Sequence, residues 1–198
     1  MTAMPRESPP DIIFSMPEDL PVPLDDGACK HLKNMKMPDV SLRATDDQQI
    51  NLSLLSGWSV IFCYPMTGRP GVAIPNGWVQ LPGAPGCTPQ ACSYREKHSE
   101  FKNRSVGVYG ISAQTSEAQK EASHRLSLSY PLLSDVDHAF SSALKLPLLK
   151  VDGLKLIKRL TLILHDGILE KCFYPVFPPD QNVVEVMDWL SKNKTPRP

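Results

Sequence analysis

Two apolar runs that a helix must separate constrain this chain most. Trp58–Tyr64 reads WSVIFCY and Val106–Ser112 reads VGVYGIS, each nearly free of charged or strongly polar residues. Runs that are apolar on both alternating faces suit strands covered on both sides. Between them Ala91, Tyr94, His98 and Phe101 recur at helical spacing. A strand, a helix and a second buried strand place the two strands parallel in one sheet, since a tight hairpin joins only antiparallel neighbours.

The rest of the chain extends this unit. Val40–Ala44 alternates, Thr45–Asp47 turns and Gln49–Leu52 continues, which reads as a hairpin. Thr115–Leu126 is helical, with Ala118, Ala122 and Leu126 spaced by four. Pro131–Leu133 is extended and Val136–Leu144 a short helix. Ile157–His165 and Ile168–Phe173 are strands joined by Asp166-Gly167, a two-residue hairpin signal. Asp180 is the expected cap of a last helix whose apolar face carries Val183, Val186, Met187 and Leu190. The expected class is α/β, a mixed sheet with helices on both faces. This is the thioredoxin-like order, although order alone also suits other α/β folds.

Two segments fall outside that plan. Met1–Lys36 carries Pro5, Pro9, Pro10, Pro17, Pro21 and Pro23, which break any helix. We read it as a Pro-rich N-terminal extension, an arm or a tail, ahead of one domain over 37–198. Gly68–Gly86 is a long Pro/Gly loop, of a kind that in a compact domain is usually functional or disordered. Trp78 within it is the expected anchor.

The 21 Lys and Arg balance the 21 Asp and Glu, which gives no hint of nucleic acid or an anionic membrane surface. No apolar run reaches the ~18 residues that span a bilayer. Met1–Phe14 has no basic stretch followed by an apolar core, so no secretory signal is read there. The five cysteines, Cys29, Cys63, Cys87, Cys92 and Cys172, are an odd set in a chain of 198 residues, unlike a small secreted disulfide scaffold. A reducing, cytoplasmic setting is the expectation.

Cys87 follows the Pro/Gly loop at the expected helix start. With Thr88 as the cap and Pro89 in the first helical position, Cys87 lies one residue outside the helix. Open N–H groups and the positive dipole end there favour an anion and lower a thiol pKa from ~8.5. Cys92 is five residues on. Five helical steps turn a side chain by roughly 500° and rise ~7.5 Å, whereas a disulfide wants Cα atoms within about 7 Å and converging side chains. The two can bond only if the helix start unwinds. A packing role for Cys92 stays open. The pair offers two ligands where structural zinc takes four, and Cys63, Cys172 and the histidines show no second paired spacing, so no metal is expected. Cys63 reads as a packing residue in a buried strand.

The segment Pro85-Gly86-Cys87-Thr88-Pro89-Gln90-Ala91-Cys92-Ser93-Tyr94-Arg95-Glu96 resembles the active-site segment of peroxiredoxins of the bacterioferritin-comigratory, or Q-type, branch, whose pattern runs Pro-Gly-Cys-Thr-x-x-Ala-Cys-x-Phe-Arg-Asp. The resemblance covers about residues 38–192, through Tyr64-Pro65, Pro131–Asp135 and Lys158–Ile163. It implies that Cys87 is the peroxidatic cysteine, that Cys92 resolves it, and that Arg159 stabilises thiolate and peroxide. Cys172 is a second candidate resolver. The implied activity is reduction of H2O2 or alkyl hydroperoxides through a sulfenic acid and an intramolecular disulfide. It needs no metal or organic cofactor, a thioredoxin- or glutaredoxin-type reductant, and a monomer or homodimer. The chain departs from the pattern in two ways. Ala84 stands three before Cys87, where the family has a threonine whose hydroxyl bonds the peroxide, and Pro65 lies 22 residues before Cys87, beyond an apparent insertion over Gly68–Ala84. Thr67 or Thr88 is the candidate substitute. These departures leave a peroxide-sensing redox protein, read by a partner rather than turning over, as the alternative.

Overall fold

The computed structural model describes residues 19–194; Pro5, Pro9, Pro10 and Pro17 of the N-terminal extension lie outside them. The elements in chain order are β1 (Ser41–Ala44), β2 (Gln49–Asn51), β3 (Trp58–Cys63), α1 (Cys87–Asn103), β4 (Val106–Ser112), α2 (Ser116–Arg125), β5 (Leu132–Ser134), α3 (Ala139–Ala143), β6 (Leu148–Val151), β7 (Leu154–Ile157), β8 (Leu160–His165), β9 (Ile168–Phe173) and α4 (Asn182–Asn193). Seven strands form one mixed sheet in the order β2-β1-β5-β4-β3-β8-β9, while β6 and β7 form a separate ribbon.

The apolar run at β3 sits in the middle of this sheet. It pairs parallel with β4 and antiparallel with β8. Its alternation divides the interior. Val60, Phe62 and Tyr64 join the core under α1 and α4, with Tyr94, Phe101, Val183, Val186 and Leu190. Ile61 and Cys63 face the other way, onto Leu42, Ile111, Phe140 and Leu144. A strand committed to two cores has no polar face, which is why WSVIFCY lacks one.

The extension contributes to that second core. Cys29, Leu32 and Met37 are buried in it, and residues 34–37 lie along β9, the outer strand of the sheet. Asn34 N–H donates to Leu169 O, Leu169 N–H to Met35 O, and Met37 N–H to Gly167 O, at 3.2, 2.9 and 2.8 Å. This segment covers an edge that would otherwise present unpaired backbone groups. Asp135, fully buried, accepts from the Phe140 and Ser141 amides at 2.8 and 2.9 Å and so caps α3.

Two local expectations need correction. The run read as one strand over Ile157–His165 is broken at Lys158-Arg159. Ile157 ends the β6–β7 ribbon and Leu160 begins a sheet strand. That ribbon turns on Asp152-Gly153, with φ of 49° and 77°, the same two-residue signal as Asp166-Gly167. At α4 the cap is Gln181 rather than Asp180, and no side chain bonds the helix start. Asp180 instead accepts from Gln181 Nε2.

Gly110 lies between Phe62 and Leu132 in the β3–β4–β5 ladder. An added Cβ would come within 2.7 Å of Phe62 Cζ and 2.6 Å of Leu132 Cδ2, and both side chains are buried. Gly110→Ala is therefore expected to cost about 1–3 kcal/mol by overpacking, seen as a lower urea midpoint at unchanged slope. An unchanged midpoint would mean that the central sheet gives way freely.

Candidate active site

Alternation along β8 aims its lead-in residues. Leu160, Leu162 and Leu164 pack into the core on the arm side, and Ile163 packs into the core under α1. Thr161, on Ile163's face, donates to Asn182 at the start of α4. Arg159 shares that parity and points toward α1, while Lys158 points toward the arm. Helix α1 buries Cys87, Gln90, Ala91, Tyr94, His98 and Phe101, spaced for one helical face. Tyr94 stacks on Phe62 with ring centroids 4.5 Å apart and donates to Asn182 at 2.8 Å. These contacts fix the helix over the strand ends.

The helix starts two residues earlier than expected. Gly86 is the cap, at φ 99°, and Cys87 is the first helical residue. Glycine enters this left-handed conformation without the Cβ penalty, so the chain turns into the helix before Thr88 can cap it. Pro89 is thus the third helical residue. No side chain bonds the amides of the first turn, which leaves them open to an anion.

Cys87 is 4% exposed and Arg159 3%. Arg159 Nη2 lies 3.2 Å from the Cys87 sulfur and also donates to the carbonyls of Ala84 and Pro85, at 3.1 and 2.9 Å. Nη1 donates to Gln90 Oε1. The Cys87 thiol can itself donate to Ala84 O at 3.6 Å. One guanidinium thus ties the loop end, the Cys87 sulfur and Gln90 together. Arg159 Nε and Gln90 Nε2 are buried with no hydrogen-bond partner among the described residues.

Of the residues singled out from sequence, the structure brings Cys87 and Arg159 together. Cys92 is equally buried but on another side of α1, against Ala91, Leu126 and Leu128, and burial pushes its thiol up. Cys172 packs against the core on the arm side of the sheet, away from Cys87. Thr67 donates its hydroxyl proton to Gln114 Oε1 at 3.1 Å, and its amide donates to the same oxygen. It could meet an oxygen beside Cys87 only by giving up that bond. Thr88 is half-buried in the first turn. Arg95 donates to Leu126 O and Arg69 is exposed. Gln90 was missed. Its signal was its place three residues after Cys87, on the same helical face.

The long loop before α1 is a chain of turns. Val72 bonds back to Arg69, Trp78 to Pro75, Leu81 to Trp78 and Ala84 to Leu81. Trp78 is buried in the core that holds Cys87, Ala84, Leu149 and Leu156, so it is an anchor. A cavity of about 90 Å³ opens onto Arg159 between Pro23 and Leu24 of the arm, Pro82 and Gly83 of the loop, and Tyr174.

The Redoxin family model matches residues 32–187. The chain belongs to the Redoxin family. Rice peroxiredoxin Q, described as chloroplastic, is 26% identical over 160 residues, which are 80% of this chain and 66% of the rice protein. The chain thus spans just under two thirds of that relative's length. Escherichia coli peroxiredoxin Bcp is 33% identical over 102 residues, 51% of this chain and 56% of that protein. Among solved structures, the Mycobacterium tuberculosis peroxidoxin BcpB shares the fold at TM-score 0.66 and 22% identity, covering 82% of this chain and 98% of that one. The Xanthomonas campestris bacterioferritin comigratory protein does so at TM-score 0.65 and 20% identity, covering 81% and 98%. The fold is thioredoxin-like as expected, and the Q-type resemblance of the Cys87 segment agrees with these relatives. No described helix is long and apolar enough to cross a membrane.

Arg159→Lys keeps a cation but loses the fork that serves sulfur, two carbonyls and an amide. Hydrogen bonds to a charged group are worth about 1.5–3 kcal/mol. Alkylation of Cys87 by iodoacetamide is therefore expected to slow by about 10- to 100-fold. A wild-type rate would show that the helix start alone activates the sulfur.

Proposed function

We propose that this Redoxin-family protein is a thiol-dependent peroxidase with Cys87 as its nucleophile. The observation that carries the reading is the Arg159 guanidinium 3.2 Å from a cysteine sulfur at an open helix N-terminus. Both features stabilise a thiolate. The Xanthomonas campestris neighbour is described as having alkyl peroxide reduction activity; for this chain H2O2 or an alkyl hydroperoxide is the proposed substrate.

Cys87 thiolate attacks the terminal peroxide oxygen, the O–O bond breaks, and water or an alcohol leaves after taking a proton. Cys87 becomes a sulfenic acid. Arg159 stabilises the charge that develops on the departing oxygen. The unpartnered Gln90 Nε2 is a donor available to a peroxide oxygen, a role that Ala84 cannot fill in place of the family threonine. Cys92 then condenses with the sulfenic acid, releasing water, and an external dithiol of the thioredoxin or glutaredoxin class reduces the disulfide.

The condensation requires α1 to open. Its first turns are held by Arg159 on Gln90 and by Tyr130, whose hydroxyl donates to Ala91 O at 2.7 Å. Tyr94 is held by Phe62 and Asn182. Unwinding over residues 87–93 breaks the first group of contacts and stops at the second.

Cys87→Ser is expected to abolish peroxide consumption in a thioredoxin-coupled assay, because a hydroxyl without an adjacent base is a poor nucleophile. Near-wild-type turnover would end the peroxidase reading. Oxidised wild type is expected to lose helical circular dichroism and to yield a Cys87–Cys92 peptide. Cys92→Ser should consume one equivalent of peroxide and stall. Full cycling by Cys92→Ser would return Cys92 to a packing role.

A further inference from the structure

Cys29 and Cys172 are cysteines that the proposed cycle does not use, and the fold brings them together. The arm is registered on the sheet at two places. Asp26 accepts from Lys158 Nζ at 2.9 Å, and the same ammonium reaches Tyr174 Oη at 3.3 Å; the Lys158 bond holds the Asp26 carboxyl down at about 2. Eight residues on, Asn34–Met37 runs along Gly167–Leu169 through backbone hydrogen bonds. Cys29 lies between the two anchors on the arm, and Cys172 lies between them on β9.

A bulge in β9 completes the approach. The β8–β9 register shifts between Ile163 and Leu164, so that Ile163 faces Lys171 and Leu164 faces Leu169. The shift sets Leu169 and Cys172, three residues apart, on the same core face. An unbroken strand would put them on opposite faces. Cys29 and Cys172 then line one open cleft of about 400 Å³, flanked by Lys30, Lys33 and Lys171. The neighbouring Cys172, together with burial, holds the Cys29 thiol well above the ordinary range. Cys29 is 8% exposed and Cys172 is half-buried, so Cys172 is the sulfur that an oxidant reaches first.

We propose that Cys29 and Cys172 form a second, reversible redox centre that staples the N-terminal arm to β9. A hydroperoxide oxidises Cys172 to the sulfenic acid, with its O–O bond broken and water or alcohol released. The Cys29 sulfur displaces the hydroxyl of that sulfenic acid, water carries off the thiol proton, and an S–S bond forms. Two electrons leave the dithiol, and an external dithiol returns them. The staple reaches the Cys87 side of the molecule, because Pro23 and Leu24 of the arm wall the cavity at Arg159.

The test uses the full chain carrying Cys87→Ser and Cys92→Ser, so that its outcome does not depend on the peroxidase reading. After stoichiometric H2O2, non-reducing peptide mapping is expected to find a Cys29–Cys172 link. Proteolysis between residues 19 and 30 should slow severalfold and recover with dithiothreitol. Adding Cys29→Ser should remove both effects. The proposal is overturned if both thiols stay open to alkylation, if Cys29 links to Cys63, or if Cys172 bonds a second chain.

Discussion

The structure around Cys87 depends on one buried guanidinium. Arg159 is almost sealed from water, where a charge is costly unless it is paired and hydrogen-bonded, and its two Nη groups carry those bonds while Nε has none among the described residues. The partners are the Ala84 and Pro85 carbonyls at the end of the long loop and Cys87 and Gln90 in the first turn of α1, all far from Arg159 in sequence. The fork geometry of arginine is what allows a single residue to reach all of them. The loop carbonyls of Ala84 and Pro85 have no regular-structure partner for these lone pairs, so the cation also gives the loop end a fixed place.

That arrangement was partly legible in the residues. The two apolar runs, the helical spacing from Ala91 to Phe101 and the Asp166-Gly167 turn foretold most of the sheet, because they reflect local periodicity. The β6–β7 ribbon did not stand out: Leu148–Ile157 is short, half-exposed and rich in lysine, and its strands bury little more than Leu149, Leu156 and Ile157. The helix start was misjudged by two residues because threonine is a good cap by chemistry, whereas the backbone turned at Gly86 by conformation. Cys87 was singled out by its place at a helix start after the loop, and Arg159 by the resemblance of its segment to a family. Their 3.2 Å contact is tertiary, and no spacing along the chain encodes it. Gln90 was passed over because its role depends on where Arg159 arrives.

The long loop shows how a core accommodates an irregular segment beside a buried cysteine. Its turns keep most of the backbone at the surface, and Trp78 commits its large apolar area to the core shared by Cys87, Leu149 and Leu156. Asn76 N–H also reaches Asp152 at the ribbon turn, at 3.3 Å. Loop length alone costs little stability, so one buried aromatic is enough to hold such a segment. The loop's last residues, Ala84–Gly86, then belong to the site rather than to the insertion.

The same two-residue period that aims Arg159 at Cys87 also sends its neighbour Lys158 to the opposite face, onto Asp26 and Tyr174. Adjacent residues at the head of β8 therefore hold the two thiol-bearing regions of the molecule, one on each side of the sheet. The break between β7 and β8 falls at these two residues, and the Lys158 amide continues the ribbon by donating to Pro147 O at 2.9 Å. The arm and the start of α1 are thus held by neighbouring residues at the head of β8, Lys158 bonded to Asp26 and Arg159 to Cys87 and Gln90.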